Sequence, residues 1–356
     1  MRILACPDKF RGTLHASDAA SAMARAARAL GHEVIELPLA DGGEGTLEAL
    51  GGANQSLVVT GPLGNPTTAS WRIENGIAVI EMAEASGLEL AGGRQGNDPV
   101  RATTRGTGEL VAAALRAGAS RVVVGVGGSA TTDGGAGAIE VLEGFAPLSG
   151  EAGRPLVEVA CDVTTRFVDA AAIFGPQKGA TAPQIAELSH NLEQLAGSLF
   201  ARFGRDARDV PGSGAAGGLA GGLYALGAAL VPGFDLVARY VGLEPLLAGV
   251  DLAVTGEGRL DRTSLEGKVV AGVLERARAA NVRVAAIAGS VEAGLGAELE
   301  ASGLTRFVDL SQTYGRTTAF ERAGECVAKA MTLILEGARG GVASTVHRTT
   351  ARQRPT

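Results

Sequence analysis

Lysine is nearly absent from this chain of 356 residues: among 32 basic residues only Lys9, Lys178, Lys268 and Lys329 are lysine. Cysteine is as scarce, and Cys6, Cys161 and Cys326 lie far apart. Their spacing excludes an ordinary zinc motif and a disulfide framework, so a reduced cytoplasm is the expected setting. The four histidines, His15, His32, His190 and His347, stand in no catalytic motif, and no Ser/His/Asp hydrolase signature is present. No excess of positive charge exists. The formal net charge of -6 gives no electrostatic footprint for nucleic acid, so an anionic substrate has to be caught by local groups. Met1–Cys6 lacks the basic start and cleavage site of a signal peptide and reads as a strand.

Other absences narrow the chemistry. Val210 to Phe234 carries no charge and exceeds a membrane span in length, but it holds eight glycines and reads as a glycine loop running into a buried helix. No membrane partner is expected. The phosphate-loop pattern G-x-x-x-x-G-K-[ST] is missing, as are the H-R-D and D-F-G sets of protein kinases.

What is present alternates between strand and helix. Ile3–Cys6 is strand-like, a helix follows with Ala20, Met23, Ala27 and Leu30 on one face, and Glu33–Leu39 returns as a strand. Such a βαβ start favours a parallel sheet. Strands at Asp251–Thr255, Val282–Ala288 and Phe307–Leu310, with helices at Lys268–Ala280 and Ala319–Leu335, repeat the idiom. Similar ends around a different middle predict a discontinuous domain, 1–60 plus 250–342, with a second α/β domain inserted at 61–249. The crossings near Gly61–Gly64 and Gly242–Gly249 would serve as hinges. In the middle, the spacing predicts a helix from Gly108 to Ala117 and a strand at Arg121–Val126. A long helix follows, with a capping box at Thr181 and Gln184 and a stripe of Ile185, Leu188, Leu192, Leu195, Leu199 and Phe203 for the core. The basic tail, 343–356, is expected to be disordered.

Five glycine-rich segments carry the chemistry. Asp8-Lys9-Phe10-Arg11-Gly12 follows the first strand, and Asp41-Gly42-Gly43-Glu44-Gly45 follows the second. In parallel sheets, ligands bind beyond the carboxyl ends of strands. The third, Gly125 to Gly135, joins an apolar strand to a helix. Gly127, Gly128, Ser129 and Thr131 form the segment best suited to phosphate, with Asp133 as its carboxylate. Gly212, Ser213 and Gly214 open a weak G-x-G-x-x-G match with no strand before it. The fifth, from Thr255 to Asp261, supplies Glu257, Arg259 and Asp261, with Lys268 close behind. Asp162 ends a further strand, Val157–Cys161. Phosphate loops, acids fit for Mg²⁺ and sparse lysines are the parts phosphoryl transfer needs, because catalysis there is positioning plus charge stabilisation.

The segments PDKFRGTL, LADGGEGT, EMAEASGLEL, ATTRGTGEL, GVGGSATTDGGAG, CDV, FGPQKGAT, PGSGAAGGL and VTGEGRLDRTSLEGK occur in order from Met1 to about Gly337. Together they resemble the bacterial ATP-dependent glycerate kinase family. Arg11 and Thr132 stand where that family usually has lysine and asparagine, and the stretch between Asp162 and Phe174 is shorter than usual.

The resemblance implies two dissimilar α/β domains, one with a discontinuous parallel sheet of flavodoxin or Rossmann type. It implies ATP as co-substrate, Mg²⁺ as cofactor, and phosphorylation of D-glycerate to 2-phosphoglycerate or 3-phosphoglycerate in an interdomain cleft. On that reading the catalytic candidates are Asp8, Lys9, Asp41, Asp133 and Lys268, with Asp8, Asp41 and Asp133 all open as general base. Substrate falls to Glu44, Glu257, Arg259 and Asp261, nucleotide phosphate to Gly127, Gly128, Ser129, Thr131, Gly212, Ser213 and Gly214, and metal to Asp133 and Asp162. Partners are glycerate and ATP, with no nucleic acid or membrane and with a homodimer left open. An NAD(P)-dependent dehydrogenase of a small hydroxy-acid and a non-catalytic ligand sensor are the alternatives.

Overall fold

The computed structural model describes residues 1–265 and 267–339, so the tail expected at 343–356 lies outside the described residues. The chain forms two compact units, Met1–Pro38 together with the chain from Gly242, and Leu39–Val241.

The first unit is built on five parallel strands in the order Leu304–Asp309, Arg283–Val291, Leu252–Leu260, Arg2–Ala5 and Glu33–Glu36. Counted within the unit this is the flavodoxin-type order 2-1-3-4-5, with the other unit inserted after its second strand. The first strand is buried on both faces, as a central parallel strand has to be: Ile3, Leu4 and Ala5 have no exposed surface. Helix Ala16–Ala29 turns Ala19, Met23 and Ala27 inward, where they share a core with Val327, Met331 and Leu335 of helix Ala323–Arg339. Small alanines on one side let the two helices approach closely. The closing helix expected at Ala319–Leu335 is interrupted, because Arg322 leaves helical geometry at φ -125 and ψ 39 and separates Arg316–Glu321 from Ala323–Arg339.

The glycine-rich segment after Thr255 is not a loop. The strand continues to Leu260, with Gly256 opposite Ile287, Glu257 opposite Ala288 and Arg259 opposite Ser290. A side chain at Gly256 would meet Ile287 O at 2.2 Å, so glycine here allows close backbone approach inside a sheet.

The second unit carries a six-stranded mixed sheet in the order Gln55–Thr60, Pro66–Glu74, Ile77–Glu81, Arg121–Gly125, Leu156–Ala160 and Ala229–Val231. The first three strands pair antiparallel and the last four are parallel. Gly61–Gly64 is not a crossing between units. It closes the hairpin between the first two strands, with Gly61 N donating to Asn65 O at 2.7 Å. The boundary drawn at 60/61 therefore moves to Pro38/Leu39, and that at 249/250 moves to Val241/Gly242. Asp41 and Glu44 belong to the second unit as a result. The edge strand Gln55–Thr60 is mostly exposed and shows little apolar alternation, which is why its pairing was hidden.

Helix Ala182–Phe203 starts as expected, with Thr181 N donating to Gln184 Oε1 at 2.9 Å. Leu188, Leu192 and Leu199 of its stripe are buried in the core. The uncharged run after Val210 forms turns and the short buried helix Leu219–Ala225. Among the described residues no helix is long and apolar enough to cross a membrane.

Candidate active site

In the second unit the parallel strands end at Glu81, Gly125, Ala160 and Val231, and the segment from Asp41 to Thr46 lies against those ends. Glycine makes this contact possible. A side chain on Gly42 would come within 2.5 Å of Gly233 Cα and 2.8 Å of Ala160 Cβ. One on Gly127 would meet Gly43 Cα at 2.8 Å, and one on Gly128 would meet Glu44 Oε1 at 2.6 Å. Gly233 N donates to Asp162 Oδ1 at 2.9 Å, and a side chain at Gly233 would lie 1.9 Å from Asp41 O. The fold thus gathers Asp41, Glu44, Gly127, Gly128 and Asp162 at the carboxyl edge of one parallel sheet, where ligands are received.

Two groups of this unit were not nominated as site residues from the sequence and hold the segments that carry nominated ones. Glu81, at the end of its strand, is 9% exposed and accepts from Leu47 N at 2.7 Å, which fixes the segment carrying Asp41 and Glu44. A carboxylate closing the apolar run IAVIE was the available signal. Lys178 is 2% exposed and donates to Ser129 Oγ at 2.7 Å and Thr131 O at 2.6 Å. Burial pushes its pKa down to about 7, against the pull of Asp133. Its scarcity as a lysine was the signal. Asn97 joins the same knot, donating to Ala130 O at 3.0 Å and Lys178 O at 2.9 Å.

The 125–135 segment differs from an open phosphate nest. Ala130 N donates to Ser86 O at 3.0 Å, Gly134 N to Gly217 O at 3.0 Å, and Gly135 N to Asp133 Oδ1 at 3.1 Å. Thr131 and Thr132 are buried, and Ser129 is occupied by Lys178. Asp133 is held by many donors. Its Oδ2 accepts from Thr104 N at 2.9 Å, Thr104 Oγ1 at 2.8 Å and Gly137 N at 3.2 Å. Desolvation raises its pKa, and these hydrogen bonds oppose the rise. Asp133 therefore ties two helix starts together, at Arg105 and Ala136.

Gly212, Ser213 and Gly214 follow a turn, not a strand, so the dinucleotide fingerprint lacks its context. Ser213 is buried and donates to Val210 O at 2.5 Å. A side chain at Gly214 would meet Arg166 O at 2.4 Å, and one at Gly217 would meet Thr131 O at 2.0 Å. These glycines serve tight packing.

In the first unit, Asp8 Oδ1 accepts from Lys9 N at 2.7 Å, and Asp8 N donates to Gly256 O at 2.8 Å. Glu257 and Arg259 stand two apart on one strand and share a face. Arg259 Nε lies 4.0 Å from Asp261 Oδ2. Asp261 Oδ1 accepts from Thr263 Oγ1 at 2.6 Å, and Lys268 Nζ donates to that same hydroxyl at 3.1 Å. The Thr263 hydroxyl chiefly, with the Lys268 charge assisting, lowers the Asp261 pKa. Arg259, Asp261 and Lys268 are thus one group, linked through a threonine that the sequence reading passed over.

Comparison with known proteins agrees with this architecture. The chain matches the glycerate kinase family over residues 3–156 and 148–338. It is 41% identical over 332 residues to the glycerate 2-kinase of Escherichia coli K12, covering 83% of this chain and 87% of that one. It is 41% identical over 327 residues to the glycerate kinase of Bacillus subtilis 168, covering 82% and 85%. The crystal structure of a Salmonella typhimurium LT2 protein assigned as glycerate kinase 2 superimposes with a TM-score of 0.80 at 35% identity, over 96% of this chain and 99% of that one. With the family match spanning nearly all the described residues, the chain belongs to the glycerate kinase family, a family of phosphotransferases.

Proposed function

We propose that this enzyme transfers the γ-phosphoryl group of ATP to D-glycerate, giving 2-phosphoglycerate, in the cytoplasm. The acceptor and the product follow the name of the Escherichia coli relative. The observation that carries the reading is the approach of the Asp41 main-chain carbonyl and the Asp162 carboxylate to Gly233, in the segment that also carries Glu44, at the carboxyl ends of parallel strands. Phosphoryl transfer asks a protein for positioned charge and a carboxylate near the acceptor hydroxyl, and little covalent chemistry.

Of the two acids nominated for Mg²⁺, the geometry favours one. Asp133 fits poorly, since its Oδ2 alone accepts three hydrogen bonds. Asp162, whose Oδ1 accepts from Gly233 N beside the Asp41 main chain, offers a hard oxygen donor of the kind Mg²⁺ takes, and one or two carboxylates suffice when phosphate oxygens complete the shell. Bound there, the ion would neutralise phosphate charge. On this reading Asp41 accepts the proton of the acceptor hydroxyl, and Gly43 N, donating to Asp41 Oδ1 at 3.2 Å, orients the carboxylate. Phosphorus NMR of the purified chain with ATP, Mg²⁺ and D-glycerate tests the reading. The expected outcome is loss of the ATP γ-resonance with appearance of a 2-phosphoglycerate resonance. Hydrolysis to inorganic phosphate alone, or an unchanged spectrum, overturns it.

A further inference from the structure

The first unit holds a cavity of about 590 Å³ that the residues assigned so far barely touch. It opens at the carboxyl ends of the parallel strands. Its lining includes Arg11, from the segment after the first strand, and Arg259, from the strand Leu252–Leu260. Those two strands are neighbours, and the strand order reverses between them. In open parallel sheets the crevice at such a reversal is where ligands bind, because the flanking loops diverge there.

The charge of the lining is unusual for this protein. Arg11, Arg259 and Arg316 face the cavity, against the single carboxylate of Glu292. In a chain of net charge -6, a local surplus of guanidinium is a local device. Among the described residues neither Arg11 nor Arg316 has an ion-pair partner, and Arg259 reaches Asp261 only at 4.0 Å. Their forks are available for oxyanions, which arginine meets with two parallel hydrogen bonds. Glycine packs the backbones of the lining closely together: a Cβ on Gly258 would meet Arg11 N at 2.8 Å, and one on Gly289 would meet Gly258 O at 2.5 Å.

The cavity also has an aromatic wall. Phe320 lines it and is 62% exposed, so its ring is open to a ligand. Arg316 and Phe320 stand four residues apart on helix Arg316–Glu321 and share its face. One helix therefore offers a guanidinium and a ring to the same space, with Ser290 and Ser311 as hydroxyls on the lining.

We propose that this cavity binds a phosphate-bearing ligand of nucleotide size, with its phosphates on Arg11, Arg259 and Arg316 and its planar base against Phe320. The inference rests on the kinase reading and assigns ATP to this cavity. A three-carbon acid with one negative charge would leave most of the volume and most of the guanidinium charge unused, and a cavity of a few hundred Å³ is the ordinary size for a drug-sized ligand. Glu292 suits the hydroxyls of a sugar, which donate to a carboxylate.

The test is direct binding, which needs no turnover. Titration of the full chain with a fluorescent ATP analogue, and displacement by ATP, by 2-phosphoglycerate and by D-glycerate, compares wild type with Arg316→Gln and with Phe320→Ala. The expected result is at least tenfold weaker ATP binding in Arg316→Gln and a smaller loss in Phe320→Ala, with D-glycerate KM within about twofold of wild type and unchanged circular dichroism. ATP affinity unchanged in both variants overturns the proposal, as does selective loss of affinity for glycerate or for the phosphorylated product. If a variant unfolds, protection of Arg316 from arginine-specific modification by ATP in the wild-type protein decides, and absence of protection counts against the site. Binding of ATP without glycerate phosphorylation would uphold this cavity while removing the kinase reading, so the two fail separately.

Discussion

Lys178 and Ser129 are joined by a hydrogen bond of 2.7 Å in which a nearly buried amine meets a hydroxyl, and the amine's other partner is Thr131 O at 2.6 Å. Two acceptors match the two N–H bonds of a neutral amine. A charged ammonium would bring a third donor and a burial cost that, among the described residues, no carboxylate at contact distance offsets.

The pH dependence of stability follows from that match. Lysine titrates near 10.4 in an unfolded chain, and burial brings Lys178 down to about 7 in the fold. Between those values the unfolded chain binds more protons, so unfolding free energy rises with pH. Below the folded value both states are charged and the burial penalty is at its full size. Urea denaturation of wild type should therefore show stability increasing from about pH 7 to about pH 10 relative to Lys178→Met. Parallel curves for the two proteins would disprove it. Lys178→Arg should not rescue, because a guanidinium stays charged and needs more room.

Gly233 tests the convergence of the site. A methyl group there would lie 1.9 Å from Asp41 O and 2.8 Å from Asp162 Oδ1. The first contact is with the main chain that carries Asp41 and the second with the carboxylate proposed for Mg²⁺, so Gly233→Ala should shift both even if the fold survives. The expected cost is about 1–3 kcal/mol of stability, as for overpacking elsewhere, with a larger fractional loss in kcat. Gly144→Ala is the control, since nothing lies within 4 Å of its Cβ position. Equal activity of the two variants would refute the argument.

Asp41 and Asp162 should separate kinetically. If Asp162 holds Mg²⁺, Asp162→Asn raises the Mg²⁺ concentration for half-maximal rate, and added metal recovers part of the activity. If Asp41 takes the acceptor's proton, Asp41→Asn lowers kcat by about 10²–10⁴ and added metal recovers none. Chelation by EDTA should stop both variants and the wild type. Metal rescue of Asp41→Asn, or full wild-type activity in EDTA, contradicts the assignment.

Much of this was legible in the sequence for physical reasons. The parallel sheet of the first unit showed itself because short apolar runs alternate with alanine-rich helical stripes, and the capping box at Thr181 marked the start of the longest helix. Three things were not legible. The hairpin at Gln55–Glu74 begins with an exposed edge strand, Gln55–Thr60, that lacks strong alternation. The strand to Leu260 was concealed by Gly256 and Gly258, whose turn-like appearance reflects contact with Ile287 and Arg11. Above all, a glycine that receives a ligand and a glycine that receives another backbone look alike in one dimension. Gly214 and Gly217 are of the second kind, against the backbones of Arg166 and Thr131.

We propose that Asp133 acts as a structural carboxylate and not as a catalytic one. Its oxygens accept from Thr104 N, Thr104 Oγ1, Gly135 N and Gly137 N, donors that belong to two helix starts. Asparagine has the same shape but turns an NH₂ toward one set of those donors. A donor then faces a donor, and the cost of the lost bonds is about 1–3 kcal/mol. Because burial raises the Asp133 pKa, the fold holds its proton to higher pH than the unfolded chain does. Its contribution to stability is therefore greatest below the unfolded carboxylate value near 3.9 and falls as pH rises through the folded value. Asp133→Asn should remove that acid-side slope and lower the melting temperature by a few degrees. It should change kcat only in proportion to the folded fraction. A large drop in kcat with the melting temperature unchanged would instead place Asp133 among the reacting groups.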